Sequence, residues 1–239
     1  MLTLEKTKPP VALPSRFLPS GEMRIPMSYE KWLIASDDVA YTEWEDGEMV
    51  IYRTPAPKHQ DFVGFFAALL INFVGFFQLG RIYVAPLEMK TSATSNAREP
   101  DILFVAQAHL ARMNDKRLAG PADLIVEVIS PESVARDRSR KFREYEAAGV
   151  LEYWLVDARK GKQSAAFWVL DASGHYQPGV INEDGVYHST VIPGFWLDVA
   201  WLSAPEFPDP LTAFAQIVGF SPSMMQGLQQ IAARGPNKM

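Results

Sequence analysis

Residues 122–131 read ADLIVEVISP. LIVEVI is an apolar run broken by a single acid, Glu127, and stopped by Pro131, the pattern of a strand buried on both faces of a sheet. Downstream, Asp137–Ala148 reads as a helix closed by Gly149, and LEYWLVD (151–157) as a second strand. Upstream, Pro100-Asp101-ILFV and Arg81–Leu87 read as strands, separated by the polar loop TSATSNARE (91–99). Further out, His59 opens a long apolar helix expected to end near Gly80, a natural left-handed cap. YTEWEDGEMVIYR (41–53) is a hairpin turning at Asp46-Gly47, and Ser28 caps a short helix, Tyr29–Ala35. Strands are expected at Ala165–Leu170, His175–Val180 and Tyr187–Ile192, then through FWLDVAWL (195–202), followed by helices Leu211–Val218 and Met224–Ala233. The order of helix, hairpin, long helix and then strands with a crossover helix predicts an α/β or α+β sheet fold. A poorly ordered arm is expected at 1–26, the main domain at 27–205 and a helical extension at 206–239.

The 239 residues carry 23 Lys+Arg against 28 Asp+Glu, a net charge of −5. A protein that holds nucleic acid along its whole surface is basic, so a polyanionic partner must meet a local basic patch or arrive with metal ions. The absence of cysteine excludes disulfides, thiolate nucleophiles and cysteine-ligated metal centres. MLTLEKTKPPVALP has no apolar core before its prolines, so no secretory signal is expected, and the cytoplasm is the expected compartment. Phe62–Leu79 is long and apolar, but Asn72, Gln78, Gly64 and Gly75 interrupt it and Asp61 precedes it. It is expected to be a core helix rather than a membrane span. Phosphate-cradling glycine loops and zinc-hydrolase motifs are missing, and none of the four histidines pairs at metal-ligand spacing.

The chemistry therefore rests on carboxylates and one lysine. An ionised Glu127 inside a buried strand costs several kcal/mol, of the order expected for an unpaired buried charge, unless a cation or metal compensates. Asp101, 26 residues earlier, begins a strand at a sheet end. Two convergent carboxylates suit Mg²⁺ (or Mn²⁺), which takes oxygen ligands, polarises a phosphoryl oxygen and activates a bound water. Ile129 shares the Glu127 face of the strand by alternation, so a lysine must come from elsewhere; Lys141, on the following helix, is the candidate. That helix is also the one basic stretch. At helical spacing Arg136, Arg140 and Arg143 share a face suited to phosphates, while Arg138, Lys141 and Tyr145 share another. Alternatively, these charges form a solvated face paired with Glu144 and Glu146.

EPDILFV (99–105), PADLIVEVISPES (121–133), the Asp137/Lys141/Tyr145 spacing and GVLEYWLVDA (149–158) resemble the restriction-endonuclease family of the PD-(D/E)xK nuclease superfamily. EWEDGEMV (43–50), His59 and VIPGFWLDV (191–199) fit the same family, so the likeness spans about residues 25–205. It implies a restriction-endonuclease-like α/β core, a mixed β-sheet flanked by helices, in which Asp101, Glu127 and Lys141 are catalytic, Lys141 standing for a lysine moved from strand to helix. It implies Mg²⁺ (or Mn²⁺) held by Asp101 and Glu127, with Glu43 either joining them or facing solvent on the hairpin. The implied partner is DNA, with RNA left open, contacted through Arg136, Arg138, Arg140 and Arg143. His59 is expected to start or pack its helix. Asp123 is expected as a strand-start residue, Asp157 as a turn former at a strand end, and Tyr153 and Trp154 as core aromatics. Aromatics in Phe195–Trp201 and the C-terminal helices suggest a homodimer, which would suit two cuts on a duplex. A nucleic-acid-binding or scaffold protein that keeps a degenerate nuclease fold is the alternative. It would bind unchanged after Glu127→Ala and Lys141→Ala.

Overall fold

The computed structural model describes residues 17–18, 21–36, 38–39, 41–131, 133–159, 161–204 and 206–234. Most of the segment expected as an arm, 1–16 and 19–20, lies outside the described residues. The chain begins with β1 (Glu22–Pro26), α1 (Tyr29–Ala35), β2 (Thr42–Glu45), β3 (Glu48–Tyr52) and the long α2 (Pro57–Phe76). It continues through β4 (Gly80–Val84), β5 (Glu88–Lys90), β6 (Ile102–Ala106), β7 (Arg117–Ala119) and β8 (Leu124–Ile129). After a π-helical segment, Arg136–Lys141, come α3 (Phe142–Ala148), β9 (Glu152–Asp157), β10 (Ser164–Leu170) and β11 (Tyr176–Pro178). The short β12 (Val186–His188) and β13 (Trp196–Asp198) precede α4 (Pro210–Val218) and α5 (Pro222–Arg234).

LIVEVI does form the centre of the sheet. The six-stranded order is β11-β10-β9-β8-β6-β4, with β8 and β9 parallel and the other neighbours antiparallel. Alternation along β8 sends Leu124, Val126 and Val128 to one face, where Phe62, Phe66 and Phe73 of α2 cover them. Ile125 and Ile129 face the other side, in a cluster with Tyr145 and Tyr153. Glu127 has their parity, so the alternation itself aims its carboxylate at the segment that carries Lys141. By length and composition α2 could cross a membrane, yet its buried side chains are the cover of the sheet. Each large apolar side chain so buried contributes about 2 kcal/mol.

Several sequence expectations need correction. Gly80 does not cap α2; it opens β4, and Gln78 takes the left-handed conformation with φ 54°. Glycine is required at 80 because a Cβ would run into the Val105 carbonyl oxygen across the β4–β6 pair. Residues 22–26, read as arm, form an edge strand against β3, where Pro26 at the end of an edge is tolerated. The strands β5 and β7 are too short to show alternation and were not anticipated. Phe195 and Leu197 are buried and Trp196 and Trp201 are half-buried against the same core, whereas Leu211, Met224 and Ile231 of the C-terminal helices are exposed.

A second, three-stranded sheet, β1-β3-β2, lies to one side over its own cluster of Met23, Trp32, Met49 and Ile51. Its importance is positional. Thr42, Glu43 and Glu45 on β2 are all buried.

Candidate active site

A cavity of about 330 Å³ opens between β2 and β3, the start of α2, the Asp101 end of β6, the C-terminal half of β8 and the π-helical segment. Asp101, Glu127, Lys141 and Glu43 all line it. Lys141 Nζ lies 2.8 Å from Glu127 Oε1 and 3.2 Å from Glu43 Oε1, and Asp137 Oδ1 stands 4.0 Å away. Tyr145 Oη donates to the same Glu127 oxygen at 2.6 Å. Asp101 Oδ2 accepts from the Val128 N–H at 2.7 Å, which ties it to the neighbouring strand, and His59 Nε2 is 3.3 Å from that oxygen.

Glu43 does not face solvent: it is 2% exposed. Both of its oxygens are engaged, one by the Glu99 N–H and Lys141, the other by Tyr52 Oη at 2.8 Å and Arg98 at 2.9 Å. Burial alone would raise its pKa, but Lys141, Arg98 and Arg136 hold it well below the carboxylate range. Glu127 goes the other way. Burial pushes it up against the pull of Lys141, and the charges of Asp101, Asp137 and Glu43 add to the rise. Asp137 is raised by burial too, despite Lys141 and Arg136. Burial opposes the charge on Lys141, but Glu127, Glu43 and Asp137 outweigh it and keep the ammonium form. Among the described residues no three metal-ligating side chains form a ready-made cation site.

Of the expected arginine face, Arg136 and Arg140 contact the three-stranded sheet and Arg143 is exposed. The wide turns of the π-helical segment, a feature often found at functional sites, depart from the 3.6-residue period on which that face was drawn. Arg136 and Asp137 join Lys141 in lining the cavity, and the Arg136 guanidinium stacks 4.1 Å from the Tyr52 ring centre. Arg138 pairs with Asp157 at 3.2 Å, and Arg140 pairs with the buried Glu45. Arg143 is exposed.

Sequence reasoning did not single out Arg98, which is 2% exposed and joins Glu43 and Glu45 to Glu144. Nor did it select Tyr52. The available signal was the spacing of Glu43 and Glu45: acids at i and i+2 share one face of a strand, so both would need cations if that face were inward. His59, expected as a packing residue, contacts Asp101 directly, and its Nδ1 is buried without a hydrogen bond. Asp123 is more than a strand-start residue. It accepts from the Ala106 N–H and pairs with His109 at 2.6 Å, away from the cavity.

A mixed sheet with a buried acid at its centre, a second acid at the adjoining strand end and a lysine that reaches the central acid from the following helical segment defines a restriction-endonuclease-like protein. The sequence pattern of the Uma2 family, described as "Putative restriction endonuclease", matches residues 27–200, and the chain belongs to that family. Among solved structures, it is similar to a protein from Anabaena variabilis described as "a putative nuclease belonging to DUF820". That likeness has 15% identity and a TM-score of 0.54, and covers 66% of this chain and 87% of the other. At this identity it supports the fold alone. No curated protein matches the chain.

Proposed function

We propose that the protein is a divalent-metal-dependent phosphodiesterase that cuts DNA internally. The observation that supports this reading most strongly is the contact of Lys141 with Glu127, made across 14 residues of chain. It brings a lysine to the carboxylates although the strand itself carries Ile129. Asp101 and Glu127 are the residues that would hold Mg²⁺ or Mn²⁺. The donor set fits such an ion: hard oxygens, crowded carboxylates whose repulsion and burial raise Glu127 and Asp137, and a buried Asp137 Oδ1 without a hydrogen-bond donor. When bound, the metal supplies polarisation of the phosphoryl oxygen and an activated water.

The chain's own residues would do the rest. The Val128 N–H and His59 fix the orientation of Asp101, while Tyr145 and Lys141 fix Glu127. Held as an ammonium by three carboxylates, Lys141 is suited to offsetting charge that develops on phosphorus rather than to accepting a proton. Glu43, itself saturated by cations, orients Lys141.

The test is nicking of supercoiled plasmid in Mg²⁺ or Mn²⁺ by wild type, Asp101→Asn, Glu127→Gln and Lys141→Met. Metal-dependent nicking by wild type, reduced by at least about 100-fold in each variant, is expected, as for loss of an electrostatic partner in the transition state. A folded wild type that never cuts, or variants that cut as well as wild type, would overturn the proposal.

A further inference from the structure

We infer that the cavity takes an unpaired DNA strand, with Tyr41 as a stacking platform at its mouth, rather than the side of an intact duplex. The inference rests on the nuclease reading above and names its substrate class. Three independent features carry it.

The first is depth. Glu43, Glu127, Asp137 and Lys141 are between 1% and 4% exposed, so a phosphate must enter the cavity to meet them. The second is size. About 330 Å³ lies at the lower end of pockets that enclose a single small ligand. A duplex has a major groove alone about 12 Å wide and keeps both strands outside such a space. The outer helix offers no continuous track, since Arg138 and Arg140, though exposed, pair with Asp157 and Glu45, which leaves Arg143.

The third is Tyr41. It lines the cavity, stays 37% exposed, and adopts φ 56°, a conformation uncommon for a residue with a Cβ. The Tyr52 N–H donates to its carbonyl at 2.9 Å. Backbone strain of this kind persists where surrounding structure imposes it, and it concentrates at binding sites. Arg53 and Arg136 line the same cavity, Arg53 over the Phe17 ring at 5.3 Å and Arg136 over the Tyr52 ring at 4.1 Å. An exposed aromatic ring in a groove that also carries cations is how proteins hold single strands, through base stacking and backbone charge.

The experiment compares a labelled DNA strand, its blunt duplex, the duplex with one unpaired tail, and the same strand as RNA. Binding is measured in Ca²⁺ and cleavage in Mg²⁺ or Mn²⁺, both with the full chain. The DNA strand should bind at least about ten-fold more tightly than the blunt duplex, and cuts on the tailed substrate should fall in the tail or at its junction. Tyr41→Gly removes the ring while suiting the positive φ, so it should unfold at a temperature close to wild type yet bind the strand about ten-fold more weakly. Tyr41→Phe should restore most of that affinity. Equal binding of strand and duplex, binding by neither, full affinity in Tyr41→Gly, or preference for RNA would each overturn the inference. Strand-selective binding without any cleavage would overturn the nuclease reading and leave this one standing. Equal cleavage of strand and duplex would do the reverse.

Discussion

Tyr145 and Lys141 grip the same oxygen of Glu127, the hydroxyl at 2.6 Å and the ammonium at 2.8 Å. A hydrogen bond to a charged group contributes about 1.5–3 kcal/mol, roughly twice a neutral one. Tyr145→Phe keeps the ring in its cluster and removes only the donor. It should lower stability by about 2 kcal/mol in urea unfolding and slow cleavage without changing the metal required. Unchanged stability would mean that Lys141 alone orients Glu127.

Lys141 is the shared cation of Glu127, Glu43 and Asp137. Lys141→Met leaves those acids buried together and should cost about 3–5 kcal/mol. Adding Glu127→Gln to it should recover part of the loss, giving a coupling of about 1–3 kcal/mol. Strict additivity in equilibrium unfolding would separate the two residues.

Glu88 gives a pH signature away from the cavity walls. It accepts from Tyr29 Oη and from Arg117, and burial raises its pKa to about 7 against the pull of Lys90. Between the unfolded value of 4.5 and about 7 the folded chain binds the extra proton, so this carboxyl lowers stability as pH rises through that window and adds nothing further above it. Glu88→Gln should therefore gain on wild type by up to about 3 kcal/mol between pH 4.5 and pH 8. A wild-type minus variant difference that stays flat with pH would refute the assignment.

Glu152 accepts from Trp154 Nε1, Tyr187 Oη, Ser189, Thr190 and the Val191 N–H, and is fully buried. It ties the loop after β12 to β9 with neutral donors. Glu152→Ala strands those donors and should destabilise by about 3 kcal/mol or more, with hydrogen exchange at 189–192 speeding up first. Slow exchange there in the variant would show that other contacts hold the loop.

Because Arg138 and Arg140 have carboxylate partners, the salt dependence of DNA binding should be shallow. Contacts from Arg53, Arg136 and Arg143 to a single strand predict a slope of about −2 in log K against log salt, from roughly −0.7 per phosphate. A slope near zero, or one steeper than about −4, would not fit three contacts.

The sheet was legible where sequence carries local signals: LIVEVI and LEYWLVD as buried runs, Asp46-Gly47 as a hairpin turn, Gly149 as a helix cap with φ 81°. Glu127 was legible because an acid in such a run demands an explanation. Arg98 and Tyr52 were not, since their partners Glu43, Glu45 and Glu144 lie on other elements and only tertiary packing brings them together. The partners of Arg136 and Arg140 were not legible, for a different reason. A 3.6-residue period was assumed through 136–143, and the backbone there is wider.

That wider stretch also bears on how such a site is inherited. Each residue of an α-helix turns about 100° about the axis. Loss of one residue between 134 and 140 would let the segment tighten and swing Lys141 out of line with the acids, leaving every strand untouched. A length change in a helix, with no substitution at all, is thus enough to disconnect the lysine from the sheet. Homologous chains are best compared here by counting residues between Pro131 and Gly149 before asking which amino acids they carry.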